Sequence, residues 1–212
     1  MKKIHLSLGA IVAAGLLTIG AGCFNTTTTP TTTNQPAKTT VTNTAKTADT
    51  ATTTVTFNAT ASNSAVESDA NGQWATTATA SSEYGSDSWS AEQVTKAPNV
   101  DSYGDNGYAW APLELNKGEE TLEVTFTKAV NAVGLRILES YGAGTVTLVE
   151  LKDIDGNYYT AWEGTDTTSG LDYLQVPVTL TTYEVNGARI TLDTTLSPEE
   201  WVEIDAVQLV GQ

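Results

Sequence analysis

Beyond Thr56 the apolar residues of this chain recur at every second position. Leu122, Val124 and Phe126 alternate with Glu123, Thr125 and Thr127, and Val133, Leu135 and Ile137 repeat the pattern. A period of two puts one set of side chains on a buried face and the other in water, so both runs predict half-buried strands. Val146, Leu148 and Glu150, alternating with Thr147, Val149 and Leu151, predict another. Asp155-Gly156 then predicts the two-residue turn of a hairpin into Tyr158–Trp162. Gln73–Ala80 reads as the first strand, and Leu171–Leu180, Tyr183–Leu192 and Trp201–Val210 as the last three. One helical turn is expected at Ser90–Val94, with Ser90 as its cap and Gln93 completing a capping box. Many short strands separated by turn signals, with hardly any helix, predict an all-β, antiparallel sandwich.

What precedes the strands has a different composition. Residues 1–22 carry Lys2-Lys3, an apolar run from Ile11 through Ile19, and the small residues Gly20-Ala21-Gly22. That order reads as a secretory signal peptide and not as a membrane span. Cys23 follows, and polarity rises abruptly after it. The junction resembles a bacterial lipoprotein signal, in which the cysteine is lipidated and becomes the new N-terminus; Gly20 departs from it, since that box usually carries Leu there. The alternative is cleavage at an ordinary signal-peptidase site, which leaves a soluble protein. No other apolar stretch approaches the roughly 20 residues a membrane helix needs, so a lipidated Cys23 is the sole anchor. The localisation expected is the cell envelope, anchored to a membrane and facing outside the cytoplasm.

Residues 23–56 are Thr-rich, with almost nothing able to pack a core, and read as a disordered tether. Flexible-coil scaling lets such a linker hold its cargo on the order of 30 Å from the membrane. Residues 57–212 form the one folded domain. A domain of about 150 residues buries roughly 70% of the surface its unfolded chain exposes, enough for an independent core.

Charge narrows the partners. The 212-residue chain has ten basic and 25 acidic residues, a net of −15, but the domain itself holds six basic against 24 acidic, a net of −18. Such a surface repels a phosphate backbone, which excludes nucleic acid. It also disfavours anionic lipid headgroups, whereas cations and neutral sugars remain compatible; solubility alone is the simpler reason for the acidity. Cys23 is the only cysteine, so no disulfide forms. The only histidine, His5, lies in the signal, so the domain has no imidazole base and no His-ligated zinc. Carboxylate-dependent glycoside hydrolysis is the enzymatic alternative, drawing on Glu139, Glu203 and Asp205, and it requires two of them about 5–9.5 Å apart in a cleft.

Candidate chemistry concentrates between Thr79 and Pro112, where Tyr84, Trp89, Tyr103, Tyr108 and Trp110 are interleaved with Glu83, Asp87, Asp101, Asp105 and Asn106. Tyr84, Trp89 and Tyr103 suit a platform on which sugar rings stack, while Trp110 and Trp74 read as core. Glu139 and Tyr141 sit in a glycine-bearing turn (ESYGAG) that either contacts a ligand or serves tight backbone geometry alone. Asp153-Ile154-Asp155-Gly156-Asn157 mimics a calcium loop, but the twelfth position, where an EF-hand needs Glu, is Gly164. Alternation places Glu203 and Asp205 on one face with Val207 and Leu209, either at the wet end of the strand or buried. Burial is expected to demand a cation or an Arg partner.

The strings ASSEYGSDSWSAEQVTKAPNV, YGD, AWAP, LEVTF, ILESYGAGTVTLVEL and WVEIDAVQLVG, in that order between Gln73 and Gly211, resemble the galactose-binding-like β-sandwich superfamily. That superfamily includes discoidin domains, coagulation-factor C-type domains and carbohydrate-binding modules, and these strings look most like the branch with the sandwich domain of pappalysins. The resemblance implies a jelly-roll-like sandwich that binds sugars, lipids or proteins through variable loops. It also implies a structural calcium near the loop after the first strand, with Asp101, Asp105 and Asn106 as matching candidates and Glu203 or Asp205 contributing from the last strand. The acidic position usual in sugar-binding relatives falls on Ala206, and Asp-Asn-Gly sequences also make plain turns. The expectation is therefore a surface lipoprotein with a non-catalytic module for carbohydrate; the alternative is a protein-interaction or structural module of the envelope, with an extracellular or envelope protein as partner.

Overall fold

The computed structural model of the protein describes residues 54–212; the leader, Cys23 and nearly all of the Thr-rich segment lie outside the described residues. Within them the chain forms one short helix, α1 (Asn63–Glu67), and eight strands. These are β1 (Gly72–Trp74), β2 (Thr77–Ala80), β3 (Glu119–Tyr141), β4 (Val146–Asp153), β5 (Tyr158–Glu163), β6 (Asp172–Pro177), β7 (Glu184–Asp193) and β8 (Glu203–Gly211). Every pairing is antiparallel.

The 23-residue β3 belongs to both layers of the sandwich. Its first half, Glu119 to Asn131, lies between β2 and β7, and β4 and β5 continue that layer. Its second half, Ala132 to Tyr141, lies between β6 and β8, with β1 at the far edge. The register slips between Thr125 and Val130, where the apolar alternation is interrupted by Thr127-Lys128-Ala129. Two alternating runs in the sequence are thus one strand, kinked as it passes between layers. Leu122, Val124, Val149, Ile190 and Leu192 from one layer meet Leu135, Ile137, Val176, Val207 and Leu209 from the other in a single core.

Three local expectations are corrected. The run Gln73–Ala80 is two strands, not one, because the chain changes layers at Ala75 and Thr76. Ala75, fully buried, donates its N–H to Val207 O at 2.9 Å, while Thr76 donates to Thr125 O at 2.9 Å on the opposite layer. In β4 a slip between Val146 and Leu148 sends Val146, Val149 and Leu151 into the core and leaves Leu148 half-buried, so strict alternation fails. The turn near Ser90 is a 3-10 helix, Ala91–Val94, without the predicted capping box. Ser90 Oγ and Gln93 Nε2 both donate to Asp87 O, and Glu83 Oε2 accepts the Ala91 N–H at 2.9 Å instead.

Residues 57–69 cover the outer face of the second layer. Val66 packs with Leu138, Tyr173 and Ala206. Beside them Arg136, 2% exposed, donates to Asp69 Oδ2 at 2.9 Å and Gln208 Oε1 at 2.7 Å, with the Phe57 ring centroid 4.7 Å from its guanidinium carbon. A buried guanidinium costs several kcal/mol without such partners, so this segment is held electrostatically as well as by its apolar contacts.

Candidate functional site

The long connection from β2 to β3 folds back over the start of β8. Its anchor is Trp110, fully buried as expected for core, whose Nε1 donates to Ser82 O at 3.0 Å and whose backbone bonds Ile204 in both directions. Trp74 is half-buried against the α1 side of the second layer. Ahead of Trp110 the chain holds Trp89 at φ 56°, a left-handed conformation that bulky residues seldom adopt. The strain is fixed by two backbone bonds, Trp89 N–H to Gly107 O at 3.0 Å and Ala111 N–H to Trp89 O at 3.2 Å. Residues held this way concentrate where a side chain must be aimed.

The aim is toward two carboxyl groups. Trp89 Nε1 donates to Asp105 Oδ1 at 3.0 Å and to Glu203 Oε1 at 3.2 Å. Glu203, 1% exposed, also accepts the Asn106 N–H at 3.2 and 3.1 Å. Burial, and then the adjoining Asp105 carboxyl, push Glu203 up to about 8, against the pull of those N–H donors. The shift favours the protonated form of Glu203, which can donate to the adjoining Asp105 carboxylate. Tyr84, 52% exposed, meets the Trp89 ring edge-on at 5.5 Å and the Trp201 ring at 5.1 Å. Tyr84, Trp89, Ala111 and Trp201 with Asp105 and Glu203 line a cavity of about 100 Å³.

Tyr103 and Tyr141 form a second group, rings edge-on at 5.4 Å. Their hydroxyls donate to the two oxygens of Glu199, each at 3.4 Å, and Tyr103 Oη accepts the Gly142 N–H at 3.3 Å. Burial and the Glu199 charge raise both phenols. Trp89 and Tyr103 are therefore in different clusters, joined through the 197–201 segment that carries Glu199 and Trp201. Gly142, at φ 57°, lets that segment close in, since a Cβ there would strike the Trp201 carbonyl.

Of the remaining expected residues, Glu139 is 1% exposed and lines neither cluster; burial and the facing Asp166 carboxyl push it up to about 9. Asp205 is equally buried, but in a third place, accepting the N–H groups of Asn99 and Val100 at 3.1 Å each. Burial raises it to about 6 despite those bonds. The register of β3 against β8 skips Asp205, so Ile204 joins Val207 and Leu209 in the core and the simple alternation is broken. Neither Glu203 nor Asp205 has an Arg partner among the described residues; backbone N–H groups and an indole stand where a counter-charge was expected.

The expected calcium ligands do not make a calcium cage. Asp101 is exposed and accepts from Ser102 Oγ; Asn106 Oδ1 accepts the Tyr108 N–H at 3.1 Å; the oxygens of Glu203 and Asp205 are taken by N–H donors. Among the described residues no three His, Cys, Asp or Glu side chains converge as a metal site. Of the carboxylates considered for hydrolysis, only Glu203 lines the cavity. Sequence reasoning missed Trp201 and Glu199. Their signal was faint, an acidic and aromatic run immediately before β8 that reads equally well as a strand start.

Two antiparallel layers sharing a kinked central strand, with aromatic and acidic side chains gathered on the connecting loops, define an antiparallel β-sandwich that carries its candidate site on its loops. The chain belongs to the family described as Pappalysin-1, SD scarf domain, C-terminal, whose model matches residues 63–212. No curated protein matches it. Among solved structures, reduced XRCC1 bound to the DNA pol beta catalytic domain superposes at a TM-score of 0.52, with 12% identity over 66% of this chain and 99% of that one. A pectin-binding carbohydrate-binding module superposes at 0.50, with 11% identity over 65% of this chain and 91% of the module. Chitosan-binding module 1 of a chitosanase/glucanase from Paenibacillus sp. IK-5 gives 0.49, with 15% identity, 64% and 94%. The superpositions on XRCC1 and on the pectin-binding module show the shared fold.

Proposed function

We propose that the protein is a carbohydrate-binding module displayed at the cell surface, tethered through a lipidated Cys23 and the Thr-rich segment. The observation that carries the reading is the cavity of about 100 Å³ lined by Tyr84, Trp89, Ala111, Trp201, Asp105 and Glu203. A sugar presents apolar C–H faces and hydroxyls that both donate and accept; aromatic faces beside one acceptor and one neutral acid answer both needs. The volume suits the end residue of a glycan rather than a chain laid along a groove, since sites that enclose a whole ligand run to roughly 300 Å³ or more. The Tyr103–Tyr141–Glu199 group, reached over the 197–201 segment, suits a second sugar. That a module of this fold binds pectin supports the reading.

The test is a glycan-array screen of the purified protein with its Trp89→Ala and Trp201→Ala variants. Selective binding weakened at least about tenfold by either change supports the site, ten-fold being roughly one lost stacking contact. A folded protein silent across a broad array overturns it in favour of a protein partner, and the exposed Tyr108, Leu113 and Leu115 on the same connection become the surface to search.

A further inference from the structure

Three buried oxygen atoms find no hydrogen-bond partner among the described residues: Glu139 Oε2, Asp166 Oδ2 and Thr145 Oγ1. Their residues are 1%, 7% and 0% exposed. We propose that Glu139, Asp166 and Thr145 form a binding site for a divalent cation of the calcium type, distinct from the Asp105–Glu203 cleft.

Each carboxylate is oriented by backbone N–H groups, and the two carboxyl groups face one another. Glu139 Oε1 accepts the Gly144 N–H at 3.1 Å, and Asp166 Oδ1 accepts the Thr168 N–H at 2.8 Å. Backbone bonds of this kind orient metal-binding carboxylates from behind, leaving the second oxygen for the ion. Three separate elements bring the residues together. Glu139 sits on β3 where the register against β8 slips on either side of it; Thr145 immediately precedes β4; Asp166 lies in the loop from β5 to β6. That loop closes over Gly144, whose φ of 93° and missing side chain admit it: a Cβ there would stand 3.2 Å from Thr168 O and 3.7 Å from Asp166 O. Two carboxylates and a hydroxyl are the hard oxygen donors that calcium selects, with water completing its usual 6–8 ligands.

Two facts favour a cation over the alternatives. No Lys or Arg of the described residues pairs with either carboxylate; the ion pairs there involve Glu114, Asp69, Glu123 and Glu150. A single proton shared between the two acids satisfies that pair but leaves the Thr145 hydroxyl oxygen stranded, whereas one ion at their centre satisfies all three. Each stranded buried group otherwise costs on the order of 1–3 kcal/mol.

The experiment is calorimetric titration of the chelator-treated protein with calcium chloride, with thermal unfolding followed in parallel. The result expected is uptake of one ion and a rise of about 5 °C in Tm at saturating calcium. Asp166→Asn should abolish uptake, and Thr145→Val, which keeps both charges and the side-chain shape, should weaken it at least about tenfold. Uptake should persist in Glu203→Gln. No uptake by the wild-type protein overturns the proposal, as does uptake that Glu203→Gln removes while Thr145→Val leaves it intact. Circular dichroism confirms folding of each variant, and the wild-type and Thr145→Val arms decide the matter even if Asp166→Asn does not fold.

Discussion

Glu203→Gln tests whether the cleft holds a proton at neutral pH. Burial and the Asp105 carboxyl push Glu203 from its ordinary 4.5 up to about 8 in the folded chain. Between those values the folded protein keeps a proton that the unfolded chain has released, so stability falls as pH rises, by about 1.4 kcal/mol per pH unit. The contribution is complete below the unfolded value and lost as pH climbs toward the folded one. Solvent at the cavity mouth narrows this window, so the useful interval is about pH 5.5 to about pH 7, where the slope amounts to about 2 kcal/mol. Gln has the same shape and stays neutral, so the variant should lack that share of the decline.

The assay is denaturant unfolding of both proteins in chelator at several pH values across the interval. Other groups that titrate, Glu139 among them, are common to both and cancel in the difference. The wild type should lose about 2 kcal/mol more than Glu203→Gln on going from the lower to the higher pH. Parallel stability curves would refute the reasoning, for they would mean that Glu203 ionises in the folded chain as it does in the unfolded one. The neutral acid available to a sugar hydroxyl would then be gone from the cleft as well.

Two further outcomes follow from other parts of the molecule. Asp69→Ala leaves the buried Arg136 with only Gln208 and the Phe57 ring, and should destabilise the domain by about 3 kcal/mol in denaturant unfolding; a loss under about 1 kcal/mol would mark the pair as a surface contact. Cys23→Ser should move the protein from the membrane to the soluble fraction on cell fractionation, and continued membrane partition would count against lipidation.

The strands were legible because period two is a local property, and Leu122 to Phe126 or Val133 to Ile137 carry it without reference to anything else. What escaped were the places where the chain changes layers. The break at Ala75 and the kink between Thr125 and Val130 leave the backbone extended, and only the partner strands reveal them. The same limit governed the site. Trp89 and Trp110 look alike in sequence, yet one is aimed into the cleft and the other is fully buried. Asp105 and Glu203 were legible as acids in the right segments, but Asp205, two residues on, binds the Asn99–Val100 stretch of the same connection, away from the cleft, because the register of β8 slips beside it. Trp201 and Asp166 were missed because their partners lie far away in the chain.

The distribution of charge explains why the buried acids are handled as they are. The domain has two arginines, and both are already engaged, the buried Arg136 with Asp69 and the half-buried Arg189 with Glu123 and Glu150. Glu139, Glu203 and Asp205 are each 1% exposed, so a chain with 24 acidic residues in the domain and six basic ones has no side-chain cation for them. A buried carboxyl then has three remaining ways to be satisfied: peptide N–H donors, a proton, or an inorganic cation. Asp205 takes the first, accepting from Asn99 and Val100. Glu203 combines the first with the second, beside a cavity where a neutral acid has a use. Glu139 has the N–H groups of Gly144 and Thr145 and a second carboxyl, Asp166, facing it, and the Thr145 hydroxyl oxygen is itself without a partner among the described residues. Of the three it is the one whose surroundings supply several free oxygens and too few donors, which is the arrangement that an ion completes and a proton does not.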